Sequence, residues 1–213
     1  MNLRTILTAA AVSAGLSLTA GQALALDNGS FETLDFSEWV LDGPGFITGE
    51  ANSSLGNTYY ATDGDVFARL NSGLGEGVYT TLSHSFTLLG AGSVSGSAAF
   101  LSFDYLPYDD DAFVRIFDQL TSQTLFSASI GSVGDYGETG WTQFSANLGP
   151  GSYTLQAAVR NNVDNGVDSA LLLDNVSIQG SVGVVPEPGA WALMILGFGG
   201  AGAALRRRRM VLA

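Results

Sequence analysis

Four carboxylates, at Asp104, Asp109, Asp110 and Asp111, lie within eight residues of one another in the chain. Unpaired negative charges at this spacing repel one another, and a divalent cation would relieve the repulsion. Calcium takes six to eight oxygen ligands from carboxylates, amides and backbone carbonyls. The stretch is therefore a candidate structural Ca²⁺ site, with a solvated acidic loop as the alternative.

The catalytic chemistry available to this chain is limited. His84 is the single histidine, so zinc sites that need two or three imidazoles are excluded, and the chain lacks the G-x-S-x-G motif of α/β-hydrolases. A glycosidase needs only two carboxylates, but these are too abundant here for any pair to indicate one. We expect a hydrogen-bonded structural or surface histidine and no enzymatic activity.

Aromatic side chains near predicted loops are candidates for stacking on sugar rings, with nearby amides and carboxylates to bind the hydroxyl groups. The candidates are Tyr59, Tyr60, Tyr105, Tyr108 and Tyr136. Trp39 and Trp141 begin or lie within strand-like runs, which favours core positions for both. No residue pattern fixes a particular glycan.

The elements that must position these side chains are strands. Short runs rich in Val, Phe, Tyr, Thr and Leu alternate with clusters of Gly, Asn, Asp and Ser, and helical periodicity is almost absent. The predicted strands are residues 97–105, 112–118, 124–130, 141–147, 152–161 and 170–178. With turn signals every 8 to 12 residues, the pattern predicts a single all-β domain, a jelly-roll-like antiparallel β-sandwich over residues 26–184.

Charge is distributed unevenly along the chain. There are 20 acidic residues and 8 arginines, but no lysine and no cysteine. Only Arg69, Arg115 and Arg160 lie in the middle, whereas the acids run from Asp27 to Glu187. An acidic domain repels nucleic acids and anionic membranes, so nucleic-acid binding is excluded. Without cysteines, the fold depends on a hydrophobic core and not on disulfides.

The first 25 residues have the pattern of a secretory signal peptide. Arg4 is followed by an apolar, small-residue run, and Ala23, Leu24 and Ala25 form a small-x-small cleavage site. A retained membrane helix is the alternative. We expect export by the general (Sec) machinery and removal of residues 1–25.

The last segment, residues 185–213, has the pattern of a membrane span followed by a basic stop. Pro186 and Pro188 prevent a helix from beginning before Gly189, and no charge follows until after Leu205. Such a helix would be about 25 Å long, slightly short of a bilayer core of about 30 Å. The four arginines 206–209 place that end in the cytoplasm and the acidic domain outside.

This tail resembles the PEP-CTERM sorting signal. The resemblance is carried by the tripeptide, the apolar segment 191–205 and the basic cluster: Pro186, Glu187, Pro188, Arg206, Arg207, Arg208 and Arg209. It implies recognition by an exosortase in a Gram-negative bacterium that makes extracellular polysaccharide. The protein would be held transiently in the inner membrane and then reach the cell surface or the extracellular matrix.

The two ends of the domain resemble galactose-binding-like jelly rolls, which include several carbohydrate-binding modules. The opening run begins at Asn28 and ends at Trp39, preceded here by Glu38 where that family commonly has glycine. The closing strand corresponds to residues 173–178. The resemblance implies a structural calcium between Glu32 and Asp174, with backbone carbonyls near Asn28.

Taken together, these features predict a non-catalytic protein with a structural or adhesive role in the polysaccharide layer of a biofilm. A carbohydrate-binding module with a specific glycan affinity is the first alternative, and a secreted glycan hydrolase is the second. Because the domain is negatively charged, adhesion to an acidic polysaccharide would be bridged by divalent cations.

Overall fold

A computed structural model describes residues 26–182 of the chain. The predicted signal peptide and the sorting tail lie outside the described residues. Within residues 26–182, no helix is long and apolar enough to cross a membrane.

The described residues form antiparallel strands and one short helix, α1 (Ile130–Val133), which lies between β8 and β9. The strands are β1 (Val40–Asp42), β2 (Gly45–Thr48), β3 (Glu50–Asn52), β4 (Thr58–Tyr60), β5 (Phe67–Asn71), β6 (Thr80–Leu101), β7 (Asp111–Phe117), β8 (Ser122–Ser129), β9 (Thr142–Leu148), β10 (Gly151–Arg160) and β11 (Ala170–Val182).

The 22-residue strand β6 belongs to both layers of the sandwich. Its first half pairs with β1 and β10, and β10 continues to β7 and β8, which gives sheet I the order β1-β6-β10-β7-β8. Its second half pairs with β11 and β9, and β11 continues to β5 and β2, which gives sheet II the order β2-β5-β11-β6-β9. One strand therefore fixes the two sheets relative to each other.

Alternation along the strands forms the core between the two sheets. Leu82, Phe100, Leu155 and Leu171 are fully buried members of one large hydrophobic cluster that draws on both sheets. A second, smaller cluster lies on the other face of sheet II, where the β3–β4 hairpin and Trp141 cover Phe67 and Leu172. Sheet II is thus covered on both faces, whereas the outer face of sheet I is left open.

The sequence prediction of an antiparallel β-sandwich is confirmed, and each of the six predicted strands is present. The run 97–105 is wrong at both ends, because the strand begins at Thr80 and stops at Leu101. The opening and closing segments lie side by side, with the Val176 N–H donating to the Gly29 carbonyl at 2.9 Å. A Cβ at Gly29 would overlap the Val176 carbonyl, so this close approach requires glycine.

Candidate functional site

Three of the predicted tyrosines meet at one end of the sandwich and form a tyrosine cluster, Tyr105, Tyr108 and Tyr136. The Tyr105 ring centroid lies 5.3 Å from that of Tyr108 and 5.9 Å from that of Tyr136. Tyr105 and Tyr136 are 42% and 43% exposed, which leaves much of each ring open to solvent. The two loops are joined by the Tyr136 N–H, which donates to the Asp104 carbonyl at 2.8 Å.

The backbone of the tyrosine cluster is held in an unusual conformation. Tyr136 has a φ of 57°, in the left-handed region that bulky residues rarely adopt. The Asp135 carboxylate accepts the Leu106 N–H at 2.9 Å and so ties the same two loops together a second time. Strained residues of this kind are concentrated at functional sites.

The other two predicted tyrosines lie elsewhere, on the β3–β4 hairpin. Tyr60 is 63% exposed and stands apart from the cluster. Tyr59 is only 7% exposed and packs edge-on against Trp141 at 6.1 Å, so its selection as a stacking residue was wrong. The alternation of β4 directs Tyr59 inward, and burial raises its pKa to about 12. Trp39, by contrast, is buried as expected.

The four carboxylates of the acidic stretch do not converge on one point. Asp109 accepts the Gly131 N–H at 2.8 Å and caps α1. Asp111 forms a salt bridge with Arg160 at 2.7 Å and accepts the Tyr79 hydroxyl at 2.6 Å. These two side chains are therefore engaged by partners of their own.

The remaining pair, Asp104 and Asp110, is buried, with exposures of 3% and 0%. The Ser169 hydroxyl donates to Asp110 Oδ2 at 2.6 Å, whereas Asp110 Oδ1 is buried and has no hydrogen-bond partner within residues 26–182. Burial raises the pKa of Asp110 to about 6, and the charge of Asp104 contributes to the same shift. A buried carboxyl with one free oxygen is most easily accommodated in its protonated form.

Glu32 and Asp174 hold the loop that joins β4 to β5. Asp174 Oδ2 accepts three hydrogen bonds from that loop, from the N–H and hydroxyl of Thr62 and the N–H of Asp63. Glu32 Oε1 accepts the N–H groups of Asp65 and Val66 at 2.9 and 3.0 Å. Burial raises the pKa of Asp174 in spite of these donors.

The oxygen atoms proposed as calcium ligands are largely engaged in hydrogen bonds within the protein. The Asn28 carbonyl already accepts the Trp39 indole N–H at 3.0 Å. Across residues 26–182, no group of three or more acidic, histidine or cysteine side chains is arranged to hold a metal ion. A structural calcium therefore stays a prediction, and a melting temperature that neither Ca²⁺ nor EDTA changes would contradict it.

His84 occupies the core of sheet I. It is 8% exposed, its Nδ1 lies 2.7 Å from the Glu38 carbonyl oxygen, and its ring stacks on Phe86. Its Nε2 is buried without a partner among the described residues. Neither ring nitrogen is hydrogen-bonded to a serine or a carboxylate, so the arrangement is that of a packed structural histidine.

Sequence reasoning missed a second polar surface, the open sheet face, formed by the outward side chains of β6 residues 81–87, β10 residues 152–156, β7 residues 113–117 and β8 residues 122–127. In its centre the Arg115 guanidinium lies between the rings of Phe113 and Phe117, 4.9 and 5.1 Å from their centroids. The signal that could have identified this surface is the alternation within the predicted strand 112–118, which puts Phe113, Arg115 and Phe117 on the same face.

Comparison with known proteins gives one specific match. Residues 184–209 match the family described as the PEP-CTERM protein-sorting motif. The tail therefore carries this motif, as the sequence predicts, and the match covers the tripeptide and the arginines 206–209. A comparison with curated protein sequences finds no match.

Among solved structures, distant likenesses cover most of the sandwich. One is TmCBM61, solved in complex with β-1,4-galactotriose, with a TM-score of 0.48, 15% identity, and 73% of this chain and 97% of that chain covered. Another is the CBM22-1 xylan-binding domain of Paenibacillus barcinonensis Xyn10C, with a TM-score of 0.41, 19% identity and coverage of 73% and 94%. A third is the K3 adhesin domain of Lys-gingipain from Porphyromonas gingivalis, with a TM-score of 0.44, 15% identity and coverage of 75% and 99%.

Proposed function

We propose that this protein is an exported, non-catalytic component of the extracellular polysaccharide layer that binds glycan through its tyrosine cluster. The observation that carries the proposal is the meeting of Tyr105, Tyr108 and Tyr136 at one end of the sandwich, with two rings more than 40% exposed. Rings that expose a face beside carboxylates can stack on a sugar and accept its hydroxyl protons.

The rigidity of the cluster supports recognition of a ligand. Two separate hydrogen bonds hold the loop of Tyr105 against the loop of Tyr136. Since the rings are already positioned, little conformational entropy is lost when a sugar binds.

A non-catalytic role is supported by the positions of the titratable groups. Asp110 and Asp174, whose pKa values are raised by burial, are both 0% exposed and hydrogen-bonded within the fold. A general acid must lie within hydrogen-bond reach of its substrate, and neither carboxyl is open to one.

The sorting tail supplies the cellular context of the proposal. A protein with this motif is handled by an exosortase, and the domain is then delivered to the surface or the matrix. We include Sec-dependent export and transient insertion into the inner membrane in the same proposal. The role of the domain there is adhesive or structural.

The test is a glycan-binding screen on the purified full-length chain in mild detergent. We expect at least one neutral glycan to bind, and Tyr105→Ala and Tyr136→Ala each to weaken that binding at least tenfold. Tyr60→Ala is the matched control, because it removes a more exposed ring outside the cluster. Binding of neutral glycans that survives both cluster variants, or turnover of any glycan in the panel, would refute the proposal.

A further inference from the structure

The open sheet face differs in charge from the rest of the domain. Of the 20 acidic residues only Glu187 lies beyond the described range, so 19 carboxylates and three arginines belong to residues 26–182. None of these carboxylates is found in the strand segments 81–87, 113–117, 122–127 and 152–156. A polyanion that is repelled elsewhere on this domain can approach the open sheet face.

Arg115 lies at the centre of the open sheet face with its orientation fixed. Its Nε and Nη2 donate to Gln156 Oε1 at 3.0 and 2.7 Å, and the rings of Phe113 and Phe117 hold the guanidinium plane from both sides. Among the described residues the one salt bridge joins Arg160 to Asp111, so no carboxylate of the domain neutralises Arg115. A positive charge with unused donors is therefore presented at a fixed position.

Two grooves lie on the open sheet face. A groove of about 580 Å³ lies along Phe113, Arg115 and the hydroxyls of Ser122, Thr124 and Ser127, and the carboxylate at its edge, Asp111, is neutralised by Arg160. A second groove, of about 470 Å³, lies on the β10 side of Phe117, and the carboxylate at its edge, Asp118, accepts the N–H groups of Leu120 and Thr121. It is lined by two cross-strand hydroxyl pairs, Ser85 with Thr154 and Thr87 with Ser152, each at 2.9 Å. Such hydroxyls can donate to and accept from the hydroxyl groups of successive sugar residues.

We propose that the open sheet face binds a polysaccharide that carries carboxylates, a polyuronate, and that Arg115 pairs directly with one of those carboxylates. The planar guanidinium matches a carboxylate with two parallel hydrogen bonds. The rings of Phe113 and Phe117 and the hydroxyl pairs contact the neighbouring sugars. This surface shares no residue with the tyrosine cluster, so the proposal goes beyond the proposed function and is tested independently of it. Direct pairing also removes the need for bridging cations.

The experiment measures retardation of the full-length chain in native gels that contain a polymer, at physiological ionic strength. The probes are polygalacturonate and alginate, and the matched neutral polymer is fully methyl-esterified polygalacturonate. We expect a polyuronate to retard the protein, and the ester to do so at least tenfold less. Arg115→Gln is expected to weaken binding at least tenfold, and Arg115→Lys, which keeps the charge, to weaken it less.

A matched variant separates the site from the overall charge. Arg69→Gln makes the same change in net charge on sheet II and is expected to leave binding unchanged. The proposal is overturned if neither polyuronate binds, if the ester binds equally well, or if Arg69→Gln and Arg115→Gln weaken binding alike. The comparison of polyuronate with ester uses the unaltered chain and does not depend on the folding of any variant.

Two further outcomes would assign the face to another partner. Loss of binding in EDTA, by a protein whose circular dichroism is unchanged, would mean that cations bridge the contact and would overturn direct pairing. A concentration-dependent dimer that Arg115→Gln dissociates, without polyuronate binding, would identify the face as a contact between two copies of this chain. Binding that persists in EDTA and a monomer in sedimentation are the expected results.

Discussion

Glu32 and Asp174, which lie near opposite ends of the domain sequence, both accept hydrogen bonds from the loop that joins β4 to β5. Glu32 lies in the opening segment and accepts two N–H groups from the loop, while Asp174 lies in the closing strand and accepts three donors from it. The opening segment and the closing strand are therefore both bound to the β4–β5 loop, and they also contact each other directly through Gly29 and Val176. These hydrogen bonds hold the two ends of the domain together whether or not a cation is bound nearby.

Asp174→Ala should destabilise the domain strongly. The N–H groups of Thr62 and Asp63 and the Thr62 hydroxyl would lose their buried acceptor, at an expected loss of about 2–4 kcal/mol in the free energy of unfolding. Urea unfolding measures this value. Asp42→Ala is the control, because Asp42 is an exposed residue of β1, and it should change the free energy of unfolding by less than about 0.5 kcal/mol. Equal effects of the two variants would contradict the role given to Asp174.

Gly64→Ala should also destabilise the domain, for two separable reasons. Gly64 has a φ of 73°, and an added Cβ would overlap the Glu32 carboxylate. Gly56 has a φ of 84° with open space around it, so Gly56→Ala reports the backbone cost alone, about 1 kcal/mol. We expect thermal and urea unfolding to show a loss for Gly64→Ala at least 1 kcal/mol larger. Similar losses would mean that Glu32 moves aside freely and does not hold the loop.

These residues show why the sequence predicts the fold better than the site. Alternation identifies the strands, but the glycine- and serine-rich middle of β6 at residues 90–96 reads as a loop, and so the strand shared by both sheets was missed. Carboxylates close in sequence, such as Asp109 and Asp110, point to different partners, because the loop before β7 turns through short-range backbone hydrogen bonds from Asp109 to Pro107 and from Asp110 to Tyr108. Glu32 and Asp174 were paired by resemblance, whereas the loop that they share depends on long-range contacts that no local pattern encodes.

The stability of the domain should depend on Asp110 between pH 4 and pH 7. Burial raises the pKa of Asp110 to about 6, so protonated Asp110 favours the fold fully below about pH 4, and this contribution is lost as the pH rises through 6. Asp110→Asn should therefore gain about 1–3 kcal/mol relative to the unaltered chain between pH 4 and pH 7, measured by urea unfolding at each pH.

Asp118 provides a control of opposite sign for this pH dependence. The N–H groups of Leu120 and Thr121 lower the pKa of Asp118, so its contribution is present at neutral pH and is lost as the pH falls through the lowered pKa. Asp118→Asn should be less stable than the unaltered chain at pH 7, and this difference should shrink in acid. If the free energies of unfolding of Asp110→Asn and of the unaltered chain differed by the same amount at every pH, the pKa of Asp110 would be the same in the folded and unfolded states, and the prediction would be wrong.

The left-handed backbone of Tyr136 should lower the stability of the domain, and two substitutions can measure this cost separately from the loss of the ring. At a φ of 57° glycine is unstrained, whereas alanine bears the same steric cost as tyrosine. Tyr136→Gly should therefore be more stable than Tyr136→Ala by about 1 kcal/mol, although both lack the ring and both should bind glycan poorly. Thermal unfolding compares the two. Equal stabilities would indicate that the loop relaxes once the ring is gone.

The sorting motif makes a prediction about the covalent form of the protein. Intact-mass measurement on cell, membrane and medium fractions of the native host should find, outside the membrane, a species that begins near Leu26 and lacks the arginines 206–209. Replacement of Pro186, Glu187 and Pro188 by alanine should leave the tail attached, because the motif is what an exosortase recognises. Exchange of Arg208 and Arg209 for lysine keeps the basic stop and should leave processing unchanged. A membrane-bound species that retains the arginines in the unaltered protein would make the tail a permanent anchor, and the domain would then act from the membrane surface.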